Sequence, residues 1–536
     1  MDNAQIADRL DAFAGLLELG EANPYSARAY RRAAETIRSV PLSVEELVRS
    51  GRVRELRGIG GSIEAKLREL VETGDIAELA ELERELAPGI VGLGRYLGLG
   101  AKRSVELARA LDVRTPEELA VAAGEGRLRE VPGIGPKLEA QLLEALARAR
   151  EPREERSLGF ARARELVGAI AVALDGDPAG DVRRWHEAPS RLAVVRAAAE
   201  PDAVLDRFAG LPQIVAVLER GERRAVGVTI DGVPVELLVP APGRAGTELL
   251  RATGSPAYVA ALGPLPDGAD ETAVYAALGA PAWPPELREG PVAGEPPALL
   301  EIADIRGDLH CHTTWSDGRA SVEEMARAAI ARGYDYVAIC DHTPAVGAVP
   351  GLTPDDVRRQ AEEIAAANEL LAPFRVLRGI ECDIRLDGTL DLPDDVLAEL
   401  DWVQASVHGG QRMPRREMTA RVEAALRNPH VSCLSHPTGR LIGRRPENAV
   451  DLERVFALAL ETGKAVEVNG LPDRLDLGGA HVREALAAGV RITCSTDAHS
   501  VRGLGNMPNA VHTARRGGAA AADVLNTRSV DGLLGR

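Results

Sequence analysis

Between residues 305 and 536, short apolar runs alternate with helix-like segments, and this alternation limits the possible folds more than any other feature of the chain. The apolar runs are YVAIC, RVLRGIE, WVQASV, VSCLSH, AVEVNG and VRITCSTD, and the helix-like segments include VEEMARAAIARG, VRRQAEEIAAANELL and LERVFALALETG. Strands that alternate with helices form parallel sheets, and this many repeats favour a barrel. Active sites of such barrels lie at the C-terminal ends of the strands.

Nine side chains of metal-ligand type lie at or just after these strand ends. His310 and His312 are two residues apart, which places both imidazoles on one face of an extended strand. Asp317 follows the same strand, and six more side chains follow later strands, namely His342, Glu381, His408, His436, Asp497 and His499. Imidazoles and carboxylates together suit zinc, manganese or iron. Nine ligands exceed the needs of one ion, so the sequence predicts two or three divalent metal ions, with Glu381 as a bridge.

Clustered divalent cations favour hydrolysis of phosphate esters. They lower the pKa of a bound water and stabilise both the attacking and the leaving oxygen of a phosphoryl transfer. A metal-bound water at the cluster is therefore the predicted nucleophile. The alternative is that each histidine is an ordinary packed or capped residue, but the register with so many strand ends argues against it. Ordinary roles are predicted for His186, His430, His481 and His512, which lie outside the pattern.

Residues 1–150 have helical spacing of apolar residues and contain a repeated turn. The segment LRGIGGSIEAK resembles VPGIGPKLEAQ, and LGLGAKRS is a weaker third copy. The pattern glycine–hydrophobic residue–glycine forms a tight turn at a helix N-terminus. Backbone N–H groups there can face a phosphate, a contact that does not depend on the DNA sequence. The candidate DNA-binding residues are Gly58, Gly60, Lys66, Gly98, Gly100, Lys102, Gly133, Gly135 and Lys137. The alternative is plain packing of helical hairpins.

Charge and composition narrow the class of partner. The net charge is −17, from 64 basic and 81 acidic residues, so any DNA binding must come from local features. No apolar run reaches the roughly 18 residues of a membrane span, and the first residues lack the layout of a signal peptide. Five cysteines in no paired spacing favour a reducing compartment, and a cytoplasmic protein without membrane contact is expected.

The motifs GDLHCHTTWSDG, CDHT, GIECDI, SVHGG, SHPTGR and STDAH resemble the PHP (polymerase and histidinol phosphatase) metallohydrolase domain. From NPYSARAYRRAA through VYAALGAPAWPPELRE to VLNT, the chain resembles bacterial family X DNA polymerases that end in such a domain. The resemblance implies a multidomain chain with an all-α helix-hairpin-helix region, an α+β nucleotidyltransferase-like palm and thumb remnant, and a distorted seven-stranded (βα) PHP barrel. The implied bounds are 1–80 for a helical 8-kDa-like domain, 81–150 for a fingers-like domain, 151–240 for the palm, 241–298 for a short thumb and linker, and 299–536 for the barrel.

The resemblance also implies a distribution of the ligands among three ions. His310, His312, Glu381 and Asp497 would bind the first ion, Glu381, His408 and His436 the second, and Asp317, His342 and His499 the third. The family's PHP domain is associated with manganese-dependent 3′-5′ exonuclease and related phosphoesterase activity on DNA ends. Arg440 and Arg474 are candidate phosphate clamps, because a guanidinium suits a phosphate.

The palm departs from the family pattern, which needs three acidic residues for two magnesium ions. The family serine is replaced by Asp181, the first two acids by Arg191 and Ala193, and only the third is present, as Glu236. Polymerase activity is therefore expected to be lost. Lys66 matches the position of the family's 5′-deoxyribose-phosphate lyase lysine, but a charge contact with DNA is the favoured role.

The sequence thus predicts a DNA-binding phosphoesterase for 3′-end processing in DNA repair. Its partners would be gapped, nicked or single-stranded 3′ ends, bound without sequence specificity. One alternative is a PHP phosphatase for a small phosphomonoester such as histidinol phosphate, and another is an active gap-filling polymerase. A third is a DNA-binding protein with structural metals. The metal identity, the preferred DNA end and the oligomeric state stay open.

Overall fold

The computed structural model describes residues 3–19, 24–40, 43–56, 58–78, 110–111, 113, 116–131, 134 and 158–535. Two compact units can be distinguished. The first comprises Met1–Leu158, Glu165–Pro178 and Ser190–Leu249, and the second Gly159–Arg164, Ala179–Pro189 and Leu250–Arg536. Among the described helices, none combines the length and the apolar character that a bilayer-spanning segment requires.

The first unit begins with helices that pack around one apolar core. They are α1 (Asn3–Leu19), α2 (Pro24–Ser39), α3 (Val44–Arg49) and α4 (Gly61–Thr73), and α5 (Pro116–Gly124) follows later. The core is built from apolar residues at helical spacing, such as Ile6, Leu10 and Phe13 of α1, which are all buried. The helical pattern seen in the sequence is thereby confirmed for the described part of residues 1–150.

The first unit also contains a mixed sheet. Helix α6 (Phe160–Leu174) precedes β1 (Asp177–Gly180), β2 (Leu192–Val195), α7 (Asp202–Ala209), β3 (Ile214–Arg220), β4 (Arg224–Thr229) and β5 (Pro234–Leu238). The strand order is β1-β2-β5-β4-β3, with β2 parallel to β5 and the β3–β4 and β4–β5 pairs antiparallel. This sheet is the α+β element predicted between the helical region and the barrel.

Three short helices follow the sheet in the chain: α8 (Ala245–Thr253), which crosses from the first unit into the second at Leu250, α9 (Pro256–Leu262) and α10 (Glu271–Leu278). Ser255 and Asp270 cap the N-termini of α9 and α10. Glu271 accepts hydrogen bonds from Arg183 at 2.7 and 2.9 Å and from Arg288 at 2.5 and 3.1 Å. This carboxylate joins three segments of the second unit.

Residues 299–535, all of them described, form the predicted barrel. Its strands are β6 (Gly307–Cys311), β7 (Tyr336–Ile339), β8 (Arg375–Asp383), β9 (Trp402–Ser406), β10 (Cys433–Leu434), β11 (Ala465–Asn469) and β12 (Ile492–Ser495). They pair in parallel in the order β12-β11-β10-β9-β8-β7-β6. A bridge between Cys311 and Ala498 nearly closes the sheet.

Helices alternate with these strands and cover them. They are α11 (Val322–Ile330), α12 (Pro354–Leu371), α13 (Asp394–Leu397), α14 (Arg415–Leu426), α15 (Leu452–Thr462), α16 (Gly479–Ala487), α17 (Met507–Arg516) and α18 (Val530–Leu534). The five cysteines are buried and free. Because parallel strands all end at one edge, the fold brings the residues after each strand to a common rim.

Candidate metal centre

The barrel brings all nine predicted ligands to the C-terminal rim. His310 is the second-to-last residue of β6, and Glu381 lies near the end of β8. The others lie two to four residues beyond a strand end or in the loop after β6, namely His312, Asp317, His342, His408, His436, Asp497 and His499. Most of these side chains are buried, and His310, His312 and Glu381 are at most 1% exposed. The convergence predicted from the strand register is therefore present.

The first group consists of His310, His312 and Asp497. The two imidazole Nε2 atoms are 3.2 Å apart, and His312 Nε2 is 3.1 Å from Asp497 Oδ1. Glu381 Oε2 lies 3.5 Å from His310 Nε2 and 3.7 Å from His312 Nε2. Separations of this size are expected between ligands of one ion whose bonds are about 2.0–2.2 Å long.

The second group surrounds Glu381. His408 Nε2 is 3.4 Å from Glu381 Oε1, His436 Nε2 is 2.8 Å from the same oxygen, and His342 Nδ1 is 2.9 Å from Oε2. The atoms that lie mutually close belong to His342, Glu381 and His408. The family resemblance implied His436 in the place of His342, so the geometry here offers both histidines to the same carboxylate.

The third group adds the loop after β6. It consists of His312, Asp317, His342 and His499. Asp317 Oδ2 is 3.3 Å from His499 Nε2, and Asp317 Oδ1 is 3.7 Å from His342 Nε2 and 3.9 Å from His312 Nδ1. Asp317, His342 and His499 are the set implied for the third ion, and their assignment as ligands stays a prediction.

Outer acceptors fix the orientation of three imidazoles. His310 Nδ1 is 2.7 Å from Glu467 Oε1, and His408 Nδ1 is 3.1 Å from Asp383 Oδ1. His499 Nδ1 donates to the backbone carbonyl of Asp497 at 2.8 Å. An acceptor at Nδ1 places the proton there and leaves a lone pair on Nε2, the arrangement typical of metal-bound histidines.

The sequence analysis did not single out Glu467, Asp341 or Asp383. Glu467 lies in the fully buried strand β11, and its Oε2 accepts from Ser435 Oγ at 3.0 Å and from His436 N at 2.7 Å. Asp341 accepts from Thr313 N at 2.8 Å and from Gln360 Nε2 at 2.7 Å. The available signal was a carboxylate inside an otherwise apolar run, which is rare without a partner.

The charges of the site favour a bound cation. Burial alone would raise the pKa of Glu381, but His408, His342 and His310 hold it well below its ordinary range. Burial alone would lower the pKa of His310, but the carboxylates of Glu467, Asp497 and Glu381 raise it well above its ordinary value. The excess of negative charge that binds a proton at His310 would also bind a divalent cation.

The histidines of the cluster differ from one another in pKa. Burial, followed by the charge of His342, lowers the pKa of His312 to about 4. The pKa of His499 rises to about 9, because Asp317 and Asp497 outweigh its burial. A neutral imidazole is the form that binds a metal, and His312 is in that form at neutral pH.

Buried histidine nitrogens without a hydrogen-bond partner indicate whether these residues suit a metal ion. His312 Nδ1 and His342 Nδ1 are buried beside Asp317 and Glu381 and make no hydrogen bond, although buried polar atoms are almost always paired. The backbone is also unusual at two ligand positions, since His436 has φ 25° and Asp497 has φ 52°. Such strained conformations cluster at functional sites. The donor set, the orphaned nitrogens and the strain all fit transition-metal ions.

The two candidate phosphate clamps differ. Arg474 Nε is 3.6 Å from Asp497 Oδ2, so its guanidinium reaches the ligand cluster. Arg440 instead donates from Nε to the Arg474 carbonyl at 2.9 Å and from Nη2 to the Leu475 carbonyl at 2.5 Å. Arg440 therefore supports the segment that carries Arg474, and the clamp role of both arginines stays a prediction.

One of the three helix-hairpin-helix turns lies in the described residues. Gly58 has φ +90°, and Gly60 begins α4 with no side-chain cap. Space is open around both glycines, so the first backbone N–H groups of α4 are accessible. Lys66 is paired with Glu69 at 3.2 Å and Glu78 at 3.0 Å. The remaining predicted contacts, Gly98, Gly100, Lys102, Gly133, Gly135 and Lys137, lie outside the described residues.

The palm-like sheet holds its single matching acid between cations. Ala193 on β2 is paired in register with Glu236 on β5. Arg224 Nε donates to Glu236 Oε1 at 2.5 Å, and Arg191 lies 3.7 Å from Oε2. Glu236 is thus neutralised by arginines, and the neighbouring position carries a methyl group.

Comparison with known proteins agrees with this architecture. Residues 1–76 match the helix-hairpin-helix domain family, residues 97–148 the SAM-like helix-hairpin-helix tandem, and residues 308–469 the PHP domain. A probable phosphatase of Acetivibrio thermocellus is 34% identical over 201 residues, 36% of this chain and 78% of that protein. A probable phosphatase of Thermoanaerobacter sp. (strain X514) is 28% identical over 232 residues, 41% of this chain and 89% of that protein.

One relative spans the whole length. The DNA polymerase/3′-5′ exonuclease PolX of Bacillus subtilis (strain 168) is 34% identical over 563 aligned residues, which cover 99% of this chain and 98% of that protein. Helix-hairpin-helix domains, a mixed sheet and a PHP barrel follow one another in this chain, as the resemblance implied. The chain therefore belongs to the PolX family, the family X DNA polymerases that carry a C-terminal PHP domain.

Proposed function

We propose that this protein is a DNA-directed, metal-dependent phosphoesterase that trims 3′ ends as a 3′-5′ exonuclease. The observation that carries the proposal is the convergence of His310, His312, Glu381 and their partners into three contiguous groups at one rim of the barrel. The full-length relative from Bacillus subtilis is named as a DNA polymerase and 3′-5′ exonuclease, and the PHP match supports the same chemistry.

Two or three divalent ions would be held by the nine ligands. His310, His312 and Asp497 would bind one, Glu381 with His408 and either His342 or His436 a second, and Asp317 with His499 and His342 a third. Divalent cations bound there supply Lewis acidity, a lowered pKa for water and stabilisation of charge in phosphoryl transfer. Manganese, zinc and iron all suit these donors.

The chain's own residues orient the ligands and the substrate. Glu467, Asp383 and the Asp497 carbonyl hold protons on the Nδ1 atoms of His310, His408 and His499. The Nε2 lone pairs of those rings then face the cluster. Arg474 would bind a non-bridging oxygen of the scissile phosphate through its guanidinium, because that group matches phosphate geometry. The burial of His310, His312 and Glu381 shields that part of the cluster from bulk water.

Binding to DNA would come from the helical region. The open turn at Gly58 and Gly60 presents backbone N–H groups at the N-terminus of α4, and two helix-hairpin-helix families match the first 148 residues. Such contacts are made to phosphates and carry no sequence information. We propose the same role for the turns at Gly98–Gly100 and Gly133–Gly135.

Polymerase activity is proposed to be lost. Residues 151–240 would be a degenerate palm and residues 241–298 a short thumb and linker. Two magnesium ions need several carboxylates, whereas Glu236 is paired with Arg191 and Arg224, and Ala193 has no ligand atom. Primer extension with Mg²⁺ or Mn²⁺ tests this directly: no templated incorporation is expected, and robust incorporation would contradict it.

The main test is one gel. Labelled single-stranded, gapped and 3′-phosphate oligonucleotides are incubated with Mn²⁺ and the wild type, the double variant His310→Ala/His312→Ala, or the control His430→Ala/His481→Ala. The proposal expects a ladder of shortened products with the wild type and the control, and none with the cluster variant. Equal ladders from both double variants would place the nuclease elsewhere.

A second candidate function is hydrolysis of a small phosphomonoester. It is favoured by the two relatives named as probable phosphatases. The helix-hairpin-helix matches argue against it, since a metabolite enzyme has no use for turns that bind a DNA backbone. Hydrolysis of histidinol phosphate without turnover of any oligonucleotide would favour it, and release of phosphate alone from the 3′-phosphate substrate would indicate a 3′-phosphatase.

A further inference from the structure

Two loops on one side of the barrel rim carry positive charge. Residues 408–416, which comprise the loop after β9 and the first two residues of α14, contain three arginines and no acid, and residues 436–446 after β10 also contain three arginines and no acid. Residues 384–395 after β8 contain one arginine and four aspartates. The whole chain carries −17, so a local group of cations at the mouth of the site indicates an anionic partner.

Two of the three arginines after β9 are available, whereas the third, Arg415, lies 3.2 Å from Asp451. Arg412 and Arg416 are exposed, and within the described residues neither forms an ion pair or a side-chain hydrogen bond. The loop that carries Arg412 is nevertheless held in place, because buried Arg421 donates to the Gly409 carbonyl at 2.7 Å and also to the Ile384 carbonyl. A fixed loop that presents unpaired guanidinium groups suits phosphate binding.

The second loop brings like charges together. Arg445 donates from Nε to the Gly439 carbonyl at 2.8 Å, which leaves its Nη donors for another partner. Its pKa is lowered by burial and then by the charge of Arg474, with Asp476 opposing. Two cations that oppose each other at the edge of a buried site are stabilised when an anion binds between them.

Arg444 extends this group outwards. It lies 3.3 Å from Asp473 and is 72% exposed, so the ion pair is weak and the guanidinium can exchange partners. The backbone N–H of Ile442 donates to the Asp473 carbonyl at 2.7 Å, which joins the loop after β10 to the loop that carries Arg474. Because β9, β10 and β11 are neighbouring parallel strands, the segments that follow them are neighbours at the rim.

We infer that this part of the rim is the track for the sugar-phosphate backbone of a single nucleic-acid strand. Arg445 and Arg474 bind the phosphates at the reacting end, and Arg412, Arg416 and Arg444 bind phosphates further along the strand. The 3′ end enters the cluster over the loops after β9 and β10 and not over the acidic loop after β8. The inference rests on the proposed function and adds the route and the residues of the substrate.

The first experiment uses full-length protein with Mn²⁺ and two substrates, a single-stranded 20-residue oligothymidine and bis(4-nitrophenyl) phosphate. For Arg412→Ala/Arg416→Ala, the ratio of kcat/KM on the oligonucleotide to kcat/KM on the small diester is expected to fall about 10-fold. The slope of log kcat/KM against log salt should weaken by about 1.4, since each lost phosphate contact removes roughly 0.7. Arg412→Lys/Arg416→Lys should restore most of the ratio.

The matched control is Arg327→Ala/Arg358→Ala on the outer helices α11 and α12, which removes the same charge from exposed ion pairs. It should leave the substrate ratio and the salt slope unchanged. If the Arg412/Arg416 variant behaves like this control, the track is wrong. If the wild type hydrolyses the small diester but no oligonucleotide, the proposed function fails, and the second experiment still decides the route.

The second experiment needs no catalysis. An oligonucleotide with a photoreactive group beside its 3′-terminal phosphate is cross-linked to the wild type in the presence of EDTA, and the labelled peptide is mapped. Cross-links within residues 408–416 or 436–446 are expected, and they should weaken in Arg412→Ala/Arg416→Ala. Cross-links confined to residues 384–395, or to residues 1–150, would overturn the inference.

Discussion

Two strand-borne glutamates in this protein have opposite surroundings. Glu236, in the mixed sheet, faces the guanidinium groups of Arg224 and Arg191. Glu381, in the barrel, faces the imidazole nitrogens of His342, His408 and His436. An arginine stays charged and offers only donors, whereas an imidazole can be neutral and offers a lone pair.

The partners of a carboxylate decide whether it forms a structural ion pair or can bind a metal ion. The negative charge of Glu236 is already neutralised by permanent cations, so a metal ion gains little there. Glu381 is 1% exposed and surrounded by groups that can all act as ligands. Four substitutions test this contrast, in order of decreasing effect.

Glu381→Gln should abolish the phosphoesterase activity, with kcat/KM reduced by more than about 1,000-fold, since even outer-shell changes at metal sites cost roughly 10- to 100-fold. The amide keeps the shape but removes the charge that joins the groups. Activity on an oligonucleotide and bound metal after dialysis, by elemental analysis, are the measurements. Glu453→Gln, an exposed change on α15, is the control, and full metal occupancy in Glu381→Gln would break the contrast.

The pH dependence of stability at Glu271 tests how strongly pairing with arginines stabilises the fold. Burial alone would raise its pKa, but hydrogen bonds from Arg183 and Arg288 lower it from about 4.5 to about 2. Because the folded-state pKa is the lower one, the stabilisation is present above pH 4.5 and is lost as the pH falls towards 2. Up to about 3 kcal/mol is expected. Urea unfolding of the wild type and Glu271→Gln should differ at pH 7, differ less at pH 3 and converge only at about pH 2, and a pH-independent difference would contradict the assignment.

Glu467→Gln should lower metal affinity and kcat/KM by roughly 10- to 100-fold, because Glu467 fixes the proton on His310 Nδ1 and also binds the backbone N–H of His436. Titration of the apoprotein with Mn²⁺ measures the affinity. Glu484→Gln on the surface is the matched control. Unchanged affinity in Glu467→Gln would show that the ring orientation is set by packing alone.

Glu236→Gln should have the smallest effect. Arg191 and Arg224 are 37% and 46% exposed, and such pairs contribute about 0–1 kcal/mol. Chemical denaturation should show this small loss, and oligonucleotide trimming should match that of the wild type. Metal-dependent nucleotide incorporation that disappears in Glu236→Gln would reverse the comparison, because it would give this glutamate a catalytic role.

The barrel was largely predictable from sequence. Period and length identified β7, β8, β9, β10, β11 and β12, and the observed strands begin and end within a few residues of the apolar runs. Helix α14 was not singled out, because its apolar face is interrupted by arginines such as Arg421, which the fold buries against backbone carbonyls. No local pattern shows that a buried arginine has found acceptors on a distant loop.

The side chains at the strand ends could be predicted from the sequence, since alternation along a strand and the common direction of parallel strands fix those positions. Three contacts required the folded structure: His342 and His436 share one carboxylate, Glu467 holds His310, and Arg474 reaches the cluster while Arg440 supports its loop. These contacts join residues far apart in the chain. They depend on the curvature and near-closure of the sheet, and these in turn depend on how all seven strands pack together.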